Sequence, residues 1–387
     1  MRQSMSPRST EELMQIVQTA VEKGTTIGSY CSDNFEGIAI DLSKLDKIIE
    51  IDTENLVATI EPGVRFGVLA ERLSKQGLRF IPADTPYYHD KTAGKLFYEG
   101  CSNISSLKYG SAKHFLMGSE VILPTGELLK TGGKTVKNVT GYDFTRFFNA
   151  PYTDFGITVK FQLKLLPLPE ARKGAAVSFE GLEQSLAFVK DLKTSRLVPA
   201  YLLWIDEDVQ RFFQGQGTGQ LIIFEFDGIR EEIEEQWQIV TAFIKKHGGS
   251  IAEAYEGTGE TAAKWRVLFK SGDKFVLTDE YKMAFTRQAQ FIDAFYALAR
   301  QRRVKAGLFG QLSEGKLNIA FAGAKADPVF MEEINAAVKQ AGGVTSGKYD
   351  RLTGKRRTGV IADLEARAKA AFDPKLILSG MIAQGVK

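Results

Sequence analysis

The chain changes texture at Leu163-Lys164-Leu165-Leu166-Pro167-Leu168-Pro169, and that break limits the fold more than any other feature. Before it the elements are short. Ser9-Thr10-Glu11-Glu12 reads as a capping box, in which the Ser9 oxygen takes a free N–H and Glu12 reaches back. Behind it Leu13, Ile16, Val17, Ala20 and Val21 recur at helical spacing, and Gly24 stops the helix. Strand-like runs follow at Ile38–Leu42, Lys47–Ile51 and Leu56–Ile60. Glu61-Pro62-Gly63 is turn chemistry, Phe66–Gln76 is a second amphipathic helix, and strands return near Met117–Leu123 and Gly156–Leu166. The stretch up to about residue 170 therefore reads as one α+β unit.

From Ala171 the periods lengthen. Leu182–Leu192, Ile229–Lys246, Thr286–Arg302 and Asp327–Gln340 have helical periodicity. Between them lie strand candidates at Ala200–Ile205, Gln220–Phe226, Ile251–Tyr255, Val304–Phe309 and Leu317–Ala322. Two strands to one helix implies an antiparallel sheet with helices on one face, a ferredoxin-like layer. A last helix, Asp363–Phe372, runs into an extended tail at Asp373-Pro374. No long repeat or low-complexity tract interrupts the pattern.

A chain of 387 residues suits two domains better than one core. With 44% hydrophobic and 25% charged residues it is a globular protein rather than a disordered one. A formal charge of +3 argues against nucleic acid as a partner, and Lys355-Arg356-Arg357 reads as a solvated loop. The two cysteines, Cys31 and Cys101, form no CxxC pair, which speaks against an iron–sulfur or zinc site made by this chain alone and against a secreted disulfide framework. Cys31 reads as a small buried hydrophobe, or as a reactive thiol if exposed. No apolar run approaches the roughly 20 residues that span a bilayer. The polar Met1–Ser9 stretch is no signal peptide, so the expected location is cytoplasmic, with peripheral membrane association through partners as the alternative.

Gly- and Ser-rich turns present backbone N–H groups to phosphate, and the first unit has three. They are Ile27-Gly28-Ser29-Tyr30-Cys31-Ser32-Asp33-Asn34, Thr92-Ala93-Gly94-Lys95, and Glu99-Gly100-Cys101-Ser102-Asn103 leading to Lys108-Tyr109-Gly110. After them comes the run Lys134-Thr135-Val136-Lys137-Asn138-Val139-Thr140-Gly141-Tyr142-Asp143-Phe144-Thr145-Arg146-Phe147-Phe148. This order and spacing resembles the FAD-linked oxidases built on the fold shared by vanillyl-alcohol oxidase and p-cresol methylhydroxylase. The resemblance implies an FAD-binding domain of PCMH type over 1–170 and a ferredoxin-like antiparallel cap over 171–360. It also implies a C-terminal helix and tail, 361–387, returning to the FAD domain. The cofactor it implies is FAD. Carried over position by position, the cofactor-binding residues are Gly28, Ser29, Ser32, Pro82, Thr92, Gly94, Gly100, Ser102, Lys137, Asn138, Gly141, Tyr142, Gly156 and Ile157.

The sequence also departs from the family. Asp33 puts a negative charge in the first loop, and Lys95 stands where relatives have glycine, either neutralising phosphate or plugging the site. Catalytic lactate- and glycolate-type members carry Gly-His-x-Gly-Asp-Gly-Asn-x-His in the cap. Here the stretch is Gly310-Gln311-Leu312-Ser313-Glu314-Gly315-Lys316-Leu317-Asn318, with amides for both imidazoles. A carboxamide is a poor metal ligand and no proton acceptor, so no metal site is expected. Of the three histidines, His89 follows Pro86-Tyr87-Tyr88 and is a candidate to border the flavin, while His114 and His247 read as structural or exposed. None stands where covalent attachment would need it, so non-covalent FAD is expected. Arg266, in Lys264-Trp265-Arg266, is a candidate clamp for a substrate carboxylate or merely packs the cap, and Tyr142 is a third catalytic candidate.

Further matches at Gly132-Gly133-Lys134, Lys137-Asn138-Val139, Ala341-Gly342-Gly343 and Phe372-Asp373-Pro374 resemble the branch of the FAD-binding subunit of bacterial glycolate oxidase. That branch implies a companion flavoprotein working beside a second FAD-linked catalytic subunit and an iron–sulfur subunit. Two other readings stay open. One is an assembly subunit without flavin, its loops filled by side chains such as Lys95 and Tyr30. The other is a self-sufficient 2-hydroxy-acid oxidoreductase whose base is Glu314 or Tyr142.

Overall fold

The computed structural model describes residues 3–29, 36–84, 88–100, 104–135, 141–151, 154–215, 217–256, 275–323, 327–345 and 359–378. The chain divides into two compact units. One comprises Met1–Asn103, Gly110–Leu168 and Arg356–Lys387; the other comprises Ile104–Tyr109 and Pro169–Lys355.

The first unit opens with strand β1 (Gln3–Met5), helix α1 (Thr10–Lys23), β2 (Ile27–Ser29) and β3 (Ile38–Ile40). The three strands form a parallel sheet in the order β1-β3-β2. Ser9 caps α1 by accepting the Glu12 amide at 3.1 Å, and Glu12 reaches back to the Arg8 amide at 2.7 Å. Gly24, at φ 60°, closes the helix, and Leu13, Val17 and Ala20 face the core with no exposure. Next come β4 (Ile48–Asp52), β5 (Val57–Ile60), α2 (Phe66–Ser74), β6 (Leu78–Arg79) and α3 (Ala93–Glu99). After the excursion through α4 (Ser106–Tyr109) the unit resumes with β7 (Leu116–Ile122), β8 (Leu128–Gly132), α5 (Phe144–Phe148), β9 (Ile157–Lys164) and β10 (Leu166–Pro167). A five-stranded antiparallel sheet, β4-β5-β9-β7-β8, carries β9 at its centre. Strict alternation of buried and half-buried residues along β9 is the period-two pattern of such a strand.

The second unit holds β11 (Ala171–Phe179), α6 (Leu182–Thr194), β12 (Tyr201–Ile205), α7 (Glu207–Gln214), β13 (Gln220–Gly228), α8 (Arg230–Lys246) and β14 (Ser250–Glu256). It continues with β15 (Phe275–Lys282), α9 (Phe285–Arg302), β16 (Ala306–Gln311), β17 (Lys316–Ala322), α10 (Pro328–Gln340) and β18 (Val344–Thr345). All eight strands pair antiparallel, in the order β14-β11-β13-β12-β16-β17-β15-β18. Phe188, Ile233, Phe291 and Phe330 from four helices build one core against the sheet. On the other face Leu203, Ile205, Ile223 and Ala320 bury beside Ile104 and Tyr109 of the unit's inserted segment. Asp227 anchors that segment, bonding Lys108 and the Tyr109 hydroxyl at 2.7 Å each.

This is the α+β architecture expected, with the antiparallel layer larger than the strand candidates suggested. β11 and β15 escaped the sequence reading. β11 opens on Ala-Arg-Lys-Gly-Ala and shows neither alternation nor a β-branched run, yet it is held between β13 and β14. Helix α7 was also missed, although Asp206 caps it by accepting the Val209 amide at 2.7 Å. A last helix, α11 (Val360–Phe372), belongs to the first unit.

Candidate functional site

In the first unit a small cleft, with about 30 Å³ of room for water and opening to solvent, lies among β2, α3, α5 and β9. Ser29 comes from the end of β2; Gly94, Phe97 and Tyr98 from α3; Phe148, Asn149 and Ala150 from the end of α5; Gly156, Thr158 and Phe161 from β9 and its approach. Three expected cofactor residues far apart in sequence, Ser29, Gly94 and Gly156, thus share one cavity.

The walls are built from below. Thr145 bonds Thr131 at 3.0 Å, Thr131 and Ser119 share a bond of 2.9 Å, and Asn149 donates to Ser119 at 2.9 Å. Asn149 then accepts from the Thr158 hydroxyl at 2.8 Å, so α5 and β9 are fixed by a chain of hydroxyls and one amide. Phe97 stacks on Phe161 with centroids 4.8 Å apart. Gly156 is required by packing, since a Cβ there would sit 2.3 Å from Val121 Cγ1. None of the described residues lining the cleft is an Asp, Glu, Lys or Arg. Aromatic, small and hydroxyl-bearing walls without a carboxylate fit a flat ring system and do not repel an anion joined to it. They fit the ring portions of FAD.

The remaining expected residues are placed as follows. Gly28 is buried inside β2, so the first three residues of the expected loop, Ile27 to Ser29, are strand. Thr92 and Gly94 do not form a loop: Thr92 is the N-cap of α3, and the first two helix amides already donate at 2.8 Å, Ala93 to Val64 and Gly94 to Pro62. These two amides are therefore unavailable to phosphate. Pro82 is buried in the turn Ile81–Asp84, and Gly100 ends α3 at φ 75°. Gly141 is exposed, Tyr142 is 87% exposed, and Ile157 is buried as the first residue of β9. Neither Gly141 nor Tyr142 reaches the cleft walls. Ser32, Ser102, Lys137, Asn138 and Arg266 lie outside the described residues.

His89 is spent on structure: its Nε2 lies 3.0 Å from the Ala83 carbonyl, and its own carbonyl takes the Gly67 amide at 3.0 Å. Lys95 does not plug the cleft. It is exposed and pairs with Glu99 at 3.8 Å, one helical turn on. Lys134 is held by Glu50 at 2.7 Å and Asp52 at 3.0 Å, and these bonds raise its pKa.

In the second unit the motif Gly310–Asn318 spans the β16–β17 hairpin. Gln311 donates to the Ile104 carbonyl at 2.7 Å. Glu314 accepts from Ser106 at 2.7 Å and pairs with Lys316 at 2.6 Å, so it is not a free base. Sequence reasoning missed two buried groups. Asp206 accepts from the amides of Val209 and Leu308 and from the Tyr296 hydroxyl, and burial pushes its carboxyl up to about 7. Lys369 of α11 has no exposure and pairs with Asp373 at 2.9 Å. A lysine and an aspartate four residues apart read as a surface helix pair; only the fold shows them buried.

Residues 168–381 match the C-terminal domain of the FAD linked oxidases, and residues 3–132 match the FAD binding domain. The chain belongs to the FAD-linked oxidases. Glycolate oxidase subunit GlcD of Bacillus subtilis is 26% identical, covering 97% of this chain and 87% of the relative. A D-lactate dehydrogenase of Anaerostipes hadrus is 26% identical over 89% of this chain and 79% of its own length. The solved structure of p-cresol methylhydroxylase superposes with a TM-score of 0.70 at 18% identity, covering 98% of this chain and 88% of that one. FAD is the cofactor of this FAD-linked oxidase. No helix among the described residues is long and apolar enough to cross a membrane.

Proposed function

We propose that this FAD-linked oxidase is a flavoprotein subunit of a glycolate- or lactate-type 2-hydroxy-acid dehydrogenase complex. It passes electrons on and does not itself carry out primary substrate oxidation. The observation that carries this reading is in the second unit, where catalytic relatives have two imidazoles. Gln311 and Asn318 hold those positions, and Gln311 and Glu314 are both tied to the segment Ile104–Tyr109. An amide donating to a carbonyl takes no proton from an alcohol. FAD, when bound, supplies two-electron acceptance and one-electron release. Ser29, Gly94, Gly156 and the Phe97 ring supply its non-covalent bed, joined by the expected loop residues Ser32, Ser102, Lys137 and Asn138. The partners in this reading are a second FAD-linked catalytic subunit and an iron–sulfur subunit, and the location is cytoplasmic or peripheral at the membrane through them.

Anaerobic titration with glycolate and D-lactate tests the reading. The proposal expects yellow protein whose flavin stays oxidised with either acid alone and is reduced once the partner subunits are co-purified. Rapid bleaching by hydroxy acid without partners would identify a self-sufficient oxidoreductase instead.

A further inference from the structure

Helix α11 carries a buried ammonium outside the cleft lining. The Lys369 ammonium has no exposure and donates to two main-chain oxygens, the Asp154 and Leu378 carbonyls, at 2.8 Å each. Asp373 Oδ2 lies 2.9 Å away as its ion-pair partner. Asp373 in turn accepts the amides of Ile377 and Leu378 at 2.8 Å each.

The two carbonyls lead to different walls of the cleft. Asp154 stands two residues before Gly156, on the approach to β9. Leu378 bridges to Ile27, whose amide donates to the Ile377 carbonyl at 2.7 Å, and β2 runs from Ile27 to the cleft residue Ser29. A single buried cation therefore ties the β9 wall to the β2 wall through main-chain oxygens. Its carboxylate partner braces the C-terminal turn that makes the second connection. Asp154 Oδ2, 3.5 Å from the ammonium, makes no hydrogen bond, and burial raises its pKa.

We infer that Lys369 is a positioning residue for the cofactor: its ammonium fixes the spacing of the Ser29 and Gly156 walls and so sets affinity for FAD. The inference rests on the cleft being the FAD site. A group that only held α11 in place would bond within the helix or to its packing partners.

The test uses the full-length chain stripped of flavin and titrated with FAD, read by quenching of flavin fluorescence alongside thermal melts. The double variant Lys369→Met with Asp154→Asn removes the cation without leaving its nearest unbonded carboxylate charged. It is expected to bind FAD at least tenfold more weakly than the parent. Leu73→Ala in α2, buried and outside the cleft lining, is expected to melt lower yet keep FAD affinity within twofold. Should the double variant not fold, Asp373→Asn carries the test, with a severalfold loss expected. Affinity within twofold of the parent in whichever of these two variants folds overturns the inference. A parent chain that binds no FAD removes the reading of the cleft itself, an outcome distinct from a parent that binds and a variant that binds equally.

Discussion

The two units treat their polar groups in opposite ways. In the first, a buried cation and a chain of hydroxyls hold open a cleft whose own walls carry no charge. In the second, the polar residues of the β16–β17 hairpin are turned on the unit's own inserted segment, Gln311 to Ile104 and Glu314 to Ser106. The difference teaches where chemistry has room. In the proposed reading the first arrangement leaves room for a cofactor, and the second leaves no side chain free to act on a hydroxy acid.

The largest expected effect comes from breaking the first unit's buried cluster. Lys369→Met alone strands the Asp373 and Asp154 carboxylates without their cation, at a cost of about 3–5 kcal/mol. All three tryptophans, 204, 237 and 265, fall in the second unit's span. Denaturation followed by tryptophan emission should therefore shift less than denaturation followed by circular dichroism. Equal shifts by both probes would show that the units unfold together and would blunt the comparison.

Asp206→Ala is the counterpart in the second unit. It removes a helix cap and leaves the Leu308 amide without its acceptor, together about 2–4 kcal/mol. Tryptophan emission should report this loss directly. Asp206 also sets a pH dependence. Its folded pKa of about 7 lies above the ordinary 3.8, because burial outweighs the hydrogen bonds from Leu308, Tyr296 and Val209. Between those values the folded state keeps a proton that the unfolded state has lost. This contribution to stability is complete below the lower value and fades as pH rises through the upper one. Melts between pH 4 and 8 should show the parent losing more stability with rising pH than Asp206→Ala; parallel slopes would count against it.

The smallest expected effect concerns Gln311. Gln311→His should cost about 1 kcal/mol, the worth of one hydrogen bond to Ile104. It should bring no reduction of dye by hydroxy acid. Measurable turnover would mean that the second unit's site is closed by one residue only.

How much of this was legible depends on how local the signal is. The Ser9–Glu12 cap, the Gly24 stop and the alternation along β9 are local, and each is where the sequence puts it. Thr92-Ala93-Gly94-Lys95 misled because glycine near a threonine reads as a loop, whereas here Thr92 opens a helix whose first amides bond across to Pro62 and Val64. Lys369 and Asp206 were invisible for a different reason. A charged residue reads as solvent-facing unless its partners are known, and those of Lys369 lie 215 residues away at Asp154 and at the chain's end. Tyr142 shows the converse, for a family signature marked it as lining a flavin while its ring is almost wholly exposed.

The most direct test is the visible absorption spectrum of the purified, isolated chain, repeated after incubation with FAD and removal of the excess. The account predicts flavin bands that persist through gel filtration and are released by denaturation without any covalent remainder. Protein that stays colourless after reconstitution, with its circular dichroism intact, would contradict it.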